Sequence, residues 1–167
     1  MAIVASDNRK TWTPAPEGLH KAVCVDVVDL GIVDGQFGPR HKVRIVWQLE
    51  DVSPDDGKRF LVSQMFTLSL NEKANLRKTL ETWRSKKLSQ DDLKGFDLEK
   101  LIKANCQLQI IHNITDEGRT FANCQAVIPL GKGEAKLSPQ DYIRHKDRAN
   151  LMNAPLTEDE TADSVPF

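Results

Sequence analysis

The chain has 167 residues, of which 28% are charged and 40% hydrophobic, with a formal net charge of −1. This is the balance of one globular domain with some tail, long enough to bury a core, and it excludes an intrinsically disordered chain. No apolar run approaches the roughly 20 residues needed to cross a bilayer. Asp7, Asn8, Arg9 and Lys10 stand where a signal peptide would carry its apolar segment, so a cytoplasmic location is expected.

The first strand is expected over residues 19–33, a Val-rich stretch that alternates polar and apolar residues for much of its length. "DGQFGPRH" follows, and its two glycines and proline predict a loop and not a tight two-residue turn. In the next strand, residues 41–52, Val43, Ile45, Trp47 and Leu49 share a core face while Lys42, Arg44, Val46 and Gln48 share the other. "SPDDGKR" supplies turn chemistry, and residues 59–70 read as a third strand with both faces fairly apolar.

The period then changes from 2 to 3.6. Ser69 and Glu72 have the spacing of a capping box, and Leu76, Leu80 and Trp83 form one apolar stripe, predicting a helix over residues 70–84. Ser89 with Asp92, and Asp97 ahead of Leu98, mark short helical pieces. Residues 106–114 and 120–130 read as two strands joined by "TDEGR", a hairpin. In its second strand Ala122, Cys124, Ala126 and Ile128 are expected on one face, with Phe121, Asn123 and Gln125 opposite. Leu137, Ser138 and Pro139 predict a last short helix, with Tyr142 placed to staple against Leu137.

Residues 149–167 lack periodicity and are expected to be disordered. They carry Glu158, Asp159, Glu160 and Asp163 and no base, which leaves 23 bases against 20 acids in the body. A mildly basic body thus bears an acidic tail. The organisation expected is a domain over residues 1–148 and a tail over 149–167. Three strands, a helical insertion and a hairpin form the chain order of the OB-fold, a five-stranded Greek-key barrel whose sheet face and loops bind oligonucleotides or oligosaccharides.

Single-stranded nucleic acid is held by cations that track phosphates and by aromatic rings that stack on bases. Phe37, Arg40, Lys42 and Arg44 offer both kinds of group within one hairpin, Arg59 follows the next turn, and Arg119 and Phe121 stand at the tip of the last hairpin. Trp47 and Trp83 are expected in the core, and Trp12 either folds onto the barrel or joins the groove. Catalytic signatures are missing: no phosphate-cradling Gly-rich loop, no H-E-x-x-H and no nucleophile elbow occur. Cys24, Cys106 and Cys124 lie far apart, without a C-x-x-C pair or a histidine at metal-ligand offset, the pattern of reduced core thiols. Neither a metal nor a cofactor is expected.

The end of the chain, Asp163-Ser164-Val165-Pro166-Phe167 with acids upstream, resembles the acidic tip of bacterial single-stranded DNA-binding proteins. That resemblance implies that Asp163, Pro166 and Phe167 engage replication or repair proteins, the terminal Phe entering an apolar pocket while carboxylates meet basic residues. Ser164 stands where that family usually has another acid, and its long Gly/Gln-rich linker is missing. The body, through "FLVSQMFTLSLNEKANLRKTLETWRSKKLSQDDLKGFDLEKLI" and the strand pair after it, is similar to small early-region proteins of tailed bacteriophages regarded as phage-type single-stranded DNA-binding proteins. The expected function is non-specific coating of single-stranded DNA in phage replication or recombination, without catalysis, in the host cytoplasm and with oligomerisation left open. The alternative is a protein-interaction adaptor of the replication machinery that does not touch DNA; a metal-dependent nuclease accessory is a third reading that no carboxylate cluster supports.

Overall fold

A computed structural model describes residues 13–148; the expectations for Trp12 and for residues 149–167, including Asp163, Pro166 and Phe167, lie outside the described residues. The strands are β1 (Gly18–Gly35), β2 (Gly38–Val52), β3 (Arg59–Thr67), β4 (Asn105–Ile114) and β5 (Thr120–Ile128). They form one antiparallel sheet in the order β3-β2-β1-β4-β5. Between β3 and β4 lie helix α1 (Asn75–Arg84), the short helix α2 (Gln90–Lys94) and a 3₁₀ turn, Leu98–Leu101. Among the described residues no helix is long and apolar enough to cross a membrane.

The long strand β1 organises the sheet. Its first part, Gly18 to Val23, pairs with β4, while Ala22 to Gly35 pairs with β2. One strand therefore serves two partners along its length, which requires it to bend. Two β-bulges supply the bend, leaving Val25 and Leu30 without partners in the ladder to β2. The second bulge ends at Gly31, whose φ of 70° is a left-handed value that only glycine adopts without strain. Sheet curvature brings Cα atoms of the edge strands β3 and β5 within 8 Å of each other.

The main core lies on one face of this curved sheet. Val43, Ile45, Trp47 and Leu49 of β2 are all buried, as their alternation predicts, and Phe60, Val62 and Phe66 resolve the facing of β3. Leu76, Leu80 and Trp83 bring α1 onto the same core, where the Trp47 and Trp83 rings stand 5.9 Å apart. Each buried Leu of this stripe contributes about 1.5–3 kcal/mol. The capping box of Ser89 and Asp92 forms, and Asp97 caps the 3₁₀ turn. Cys24, Cys106 and Cys124 are free thiols, and burial pushes them up, Cys24 to about 12 and Cys124 to about 11. At neutral pH they stay protonated and unreactive.

Four local expectations are corrected. Gly35 pairs with Gly38, so Gln36 and Phe37 make a tight two-residue hairpin turn where a longer loop was expected. Helix α1 starts at Asn75 and not at residue 70, because Ser69 Oγ accepts from Asn71 N–H and Asn71 Oδ1 accepts from Lys73 N–H. These short side-chain bonds stabilise turns in place of a first helical turn. In β5 a bulge at Gln125 shifts the alternation, so Ala122 and Cys124 pack on the core but the next buried residue is Val127 rather than Ala126. The predicted helix at Pro139 is absent: residues 139–144 form no helix, and Asp141 takes a left-handed φ of 52°.

Residues 137–148 instead act as a strap across the opposite face of the sheet. The bulge at Val25 turns both Val25 and Asp26 away from the main core, beside Val46. Val23, Val25 and Val46 form a second small core there, covered by Leu137 and Tyr142. Asp26 is 1% exposed and accepts from Tyr142 Oη at 2.8 Å, Arg144 Nε at 3.1 Å and the His145 N–H at 2.8 Å. Burial pushes its carboxyl upward, but these donors together outweigh burial and hold it below the ordinary value. Gln48 and Asn105 each make paired bonds to the strap backbone, at Gln140 and Leu137.

Candidate nucleic-acid interface

On β2 the residues facing away from the main core are Lys42, Arg44, Val46 and Gln48. The strap divides this row. Val46 and Gln48 lie beneath it, 8% and 3% exposed, so the expected cationic face survives only over its first half. There Arg44 is exposed and Lys42 half-buried. Neither cation faces an acid across the sheet. Lys42 stands opposite Gly31 and Thr67, and Arg44 opposite Val28 and Met65. Like charges two residues apart on one strand repel unless an anion screens them, so this pair favours a negatively charged ligand.

A groove of about 460 Å³ opens beside this row, with Arg40, Lys42 and Lys73 on its walls and Met65 and Thr67 on β3. No carboxylate lines it. Lys42 Nζ donates to Thr67 Oγ1 at 2.8 Å, which fixes the ammonium over the groove and leaves its other protons free to meet a ligand. Among the described residues none of Arg40, Lys42, Arg44 and Lys73 forms an ion pair. His41 turns from this row to Asp29, its Nε2 at 2.6 Å from Oδ1, and that contact holds the Asp29 carboxyl below its usual value. A second, smaller cavity of about 170 Å³ lies under the strap, but Asp56 and Asp141 line it beside Lys58 and Arg59. Its mixed charge suits a polyanion less well.

The remaining sequence candidates divide. Phe37 caps the β1–β2 turn and is 81% exposed, three residues before Arg40, the first of the Arg40, Lys42, Arg44 row. Arg59 is engaged elsewhere: its guanidinium donates to Ser138 O at 2.9 Å and so fastens the strap. Arg119 and Phe121 belong to the β4–β5 hairpin, where Phe121 is 49% exposed opposite Asn113 and Arg119 lies 4.0 Å from Glu117. That hairpin borders the N-terminal segment, since the backbone of His112 bonds Glu17 and its ring bonds Ala15 O. Among the described residues Arg119 bonds only within its own hairpin, to Thr115 and Glu117, while Arg40, Lys42 and Arg44 share one face of β2.

No protein-family model and no curated protein matches the sequence. Functional assignment therefore rests on this geometry and on the chain's own residues. Lys73, the groove cation missed by sequence reasoning, was hidden by the reading of residues 70–74 as helix. The signal that could have revealed it is the Ser69, Asn71 pair, both turn-forming types spaced for successive side-chain turns. Among the described residues no three His, Cys, Asp or Glu side chains are grouped to hold a metal ion.

Proposed function

We propose that this chain is a non-enzymatic single-stranded DNA-binding protein with an OB-like barrel, serving phage replication or recombination in the host cytoplasm. The observation that carries the reading is the carboxylate-free groove beside Arg40, Lys42 and Arg44, whose charges nothing else in the described residues neutralises. A chain of phosphates satisfies such a row one charge at a time, and it does so without reading sequence. The strand order, the shared strand β1, the helices between β3 and β4 and the approach of the β3 and β5 edges support the OB-like assignment; in this reading those edges close the barrel and the connections follow a Greek key.

In this reading Phe37, exposed at the turn ahead of Arg40, stacks on a base that leaves the groove, and Arg119 and Phe121 contact a strand only if it continues to the far hairpin. The segment containing Asp163, Pro166 and Phe167 recruits partner proteins, on the strength of its likeness to the bacterial acidic tip. Its acids also compete with DNA for the cationic row. The rival reading, an adaptor that never touches DNA, predicts partner binding without DNA affinity.

An anisotropy titration of the full chain against fluorescent oligo-dT separates the two. The expected result is binding whose logarithm falls linearly with the logarithm of salt, with a slope of about −0.7 for each phosphate neutralised. Removing residues 158–167 is expected to preserve or raise this affinity. No anisotropy change at low salt would favour the adaptor.

A further inference from the structure

We propose that Met65 and Lys73 complete the strand-binding site, Met65 as the surface on which a base packs and Lys73 as a phosphate contact from outside the sheet. The inference rests on the single-stranded DNA reading above and assigns residues to the same groove. Met65 is 48% exposed on the outer face of β3, directly opposite Arg44 and two residues before Thr67, the partner of Lys42. It is thus an apolar side chain set among cations and uncharged polar groups, with no acid on the groove wall.

A single exposed methionine requires no explanation on its own. Its position does the deciding. Arg44 and Lys42 lie one strand away, and across strands outward-facing neighbours are about 4.5–5.5 Å apart. A phosphate held by these cations therefore leaves its base within reach of the thioether. Sulfur is polarizable and packs favourably against aromatic faces and edges, and methionine's three rotatable bonds let it accept purines and pyrimidines alike. That tolerance suits a protein that binds without sequence preference. Lys73 approaches from the β3–α1 connection, which the Ser69 and Asn71 turns hold beside the groove. Three cations consequently reach the groove from two elements, which encloses a strand better than a flat sheet face does.

The two roles differ in what they read, and the test exploits that difference. Full-length wild type, Met65→Ala and Lys73→Ala are titrated with oligo-dT and with a strand of equal length in which the bases are replaced by abasic sites. Met65→Ala is expected to weaken oligo-dT binding by roughly 2- to 10-fold and to leave abasic-strand binding unchanged. Lys73→Ala is expected to weaken both strands to the same degree and to reduce the salt slope by about 0.7. Equal loss on both strands for Met65→Ala, or no loss, overturns its role as a base platform; an unchanged slope for Lys73→Ala overturns the phosphate contact. Failure of the wild type to bind either strand overturns the DNA-binding reading itself, a different result from wild-type binding that these substitutions leave untouched. Circular dichroism melting of each variant checks that the fold is intact, as expected for two solvent-facing positions.

Discussion

Asp26→Ala is expected to destabilise the fold by about 3–5 kcal/mol, measured as a shift in the midpoint of urea unfolding. Among the described residues the carboxylate is the only acceptor that the Tyr142 hydroxyl and the His145 N–H meet, and it shares Arg144 with Glu99. Its removal leaves three donors facing a methyl group beneath the strap. Such donors cost more unpaired than the pair is worth when made. Loosening the strap would also return Val23, Val25 and Val46 to water. By contrast, Glu99→Ala is expected to cost under about 1 kcal/mol, because Glu99 is half exposed and water replaces it.

The pH dependence follows from the same carboxyl. Its folded value lies below the ordinary 3.8, so the unfolded chain takes up a proton more readily than the folded one. The stabilisation is therefore complete above 3.8 and is lost as pH falls through the lower folded value. Unfolding midpoints of wild type and Asp26→Ala are expected to differ fully at neutral pH and to converge in strong acid. Persistence of the difference there would assign the stabilisation to something other than ionised Asp26.

The second large effect concerns binding. Replacing Arg40, Lys42 and Arg44 together with alanine is expected to lower affinity for oligo-dT on the order of 10²- to 10³-fold at low salt, since each removes a charge-assisted bond worth about 1.5–3 kcal/mol, shared among neighbours. The salt slope should flatten by about 2, three phosphates at 0.7 each. Stability should change little, because these cations form no ion pair among the described residues and only Lys42 makes a side-chain bond, to Thr67. Retention of wild-type affinity and slope in this variant would place the DNA elsewhere.

Much of the fold was legible where one element carries its own signal. Alternation in β2 identified Val43, Ile45, Trp47 and Leu49 as core, and the stripe of Leu76, Leu80 and Trp83 identified the buried face of α1. The Ser89, Asp92 capping box needs only four residues to be read. The strap was not legible, since its anchor residue Asp26 lies 116 positions before Tyr142 and nothing periodic marks an extended segment. Bulges at Val25 and Gln125 also escape an alternation rule, because one extra residue reverses every facing beyond it. Of the site, Lys42 and Arg44 were legible as a cationic strand face; Arg40, read as part of the preceding loop, joins them because β2 begins at Gly38. The loss of Val46 and Gln48 from that face was not, although an apolar Val46 among polar neighbours hinted at a cover.

The most direct test is to map the bound strand on the protein by following backbone amide resonances of isotope-labelled full chain as oligo-dT is added. The expected perturbations concentrate at residues 37–44 and 63–75, the cationic row and the groove wall, and fade as salt rises. Perturbations confined to the cavity beneath the strap, or to the β4–β5 hairpin alone, would contradict the assignment of the site to the exposed half of β2.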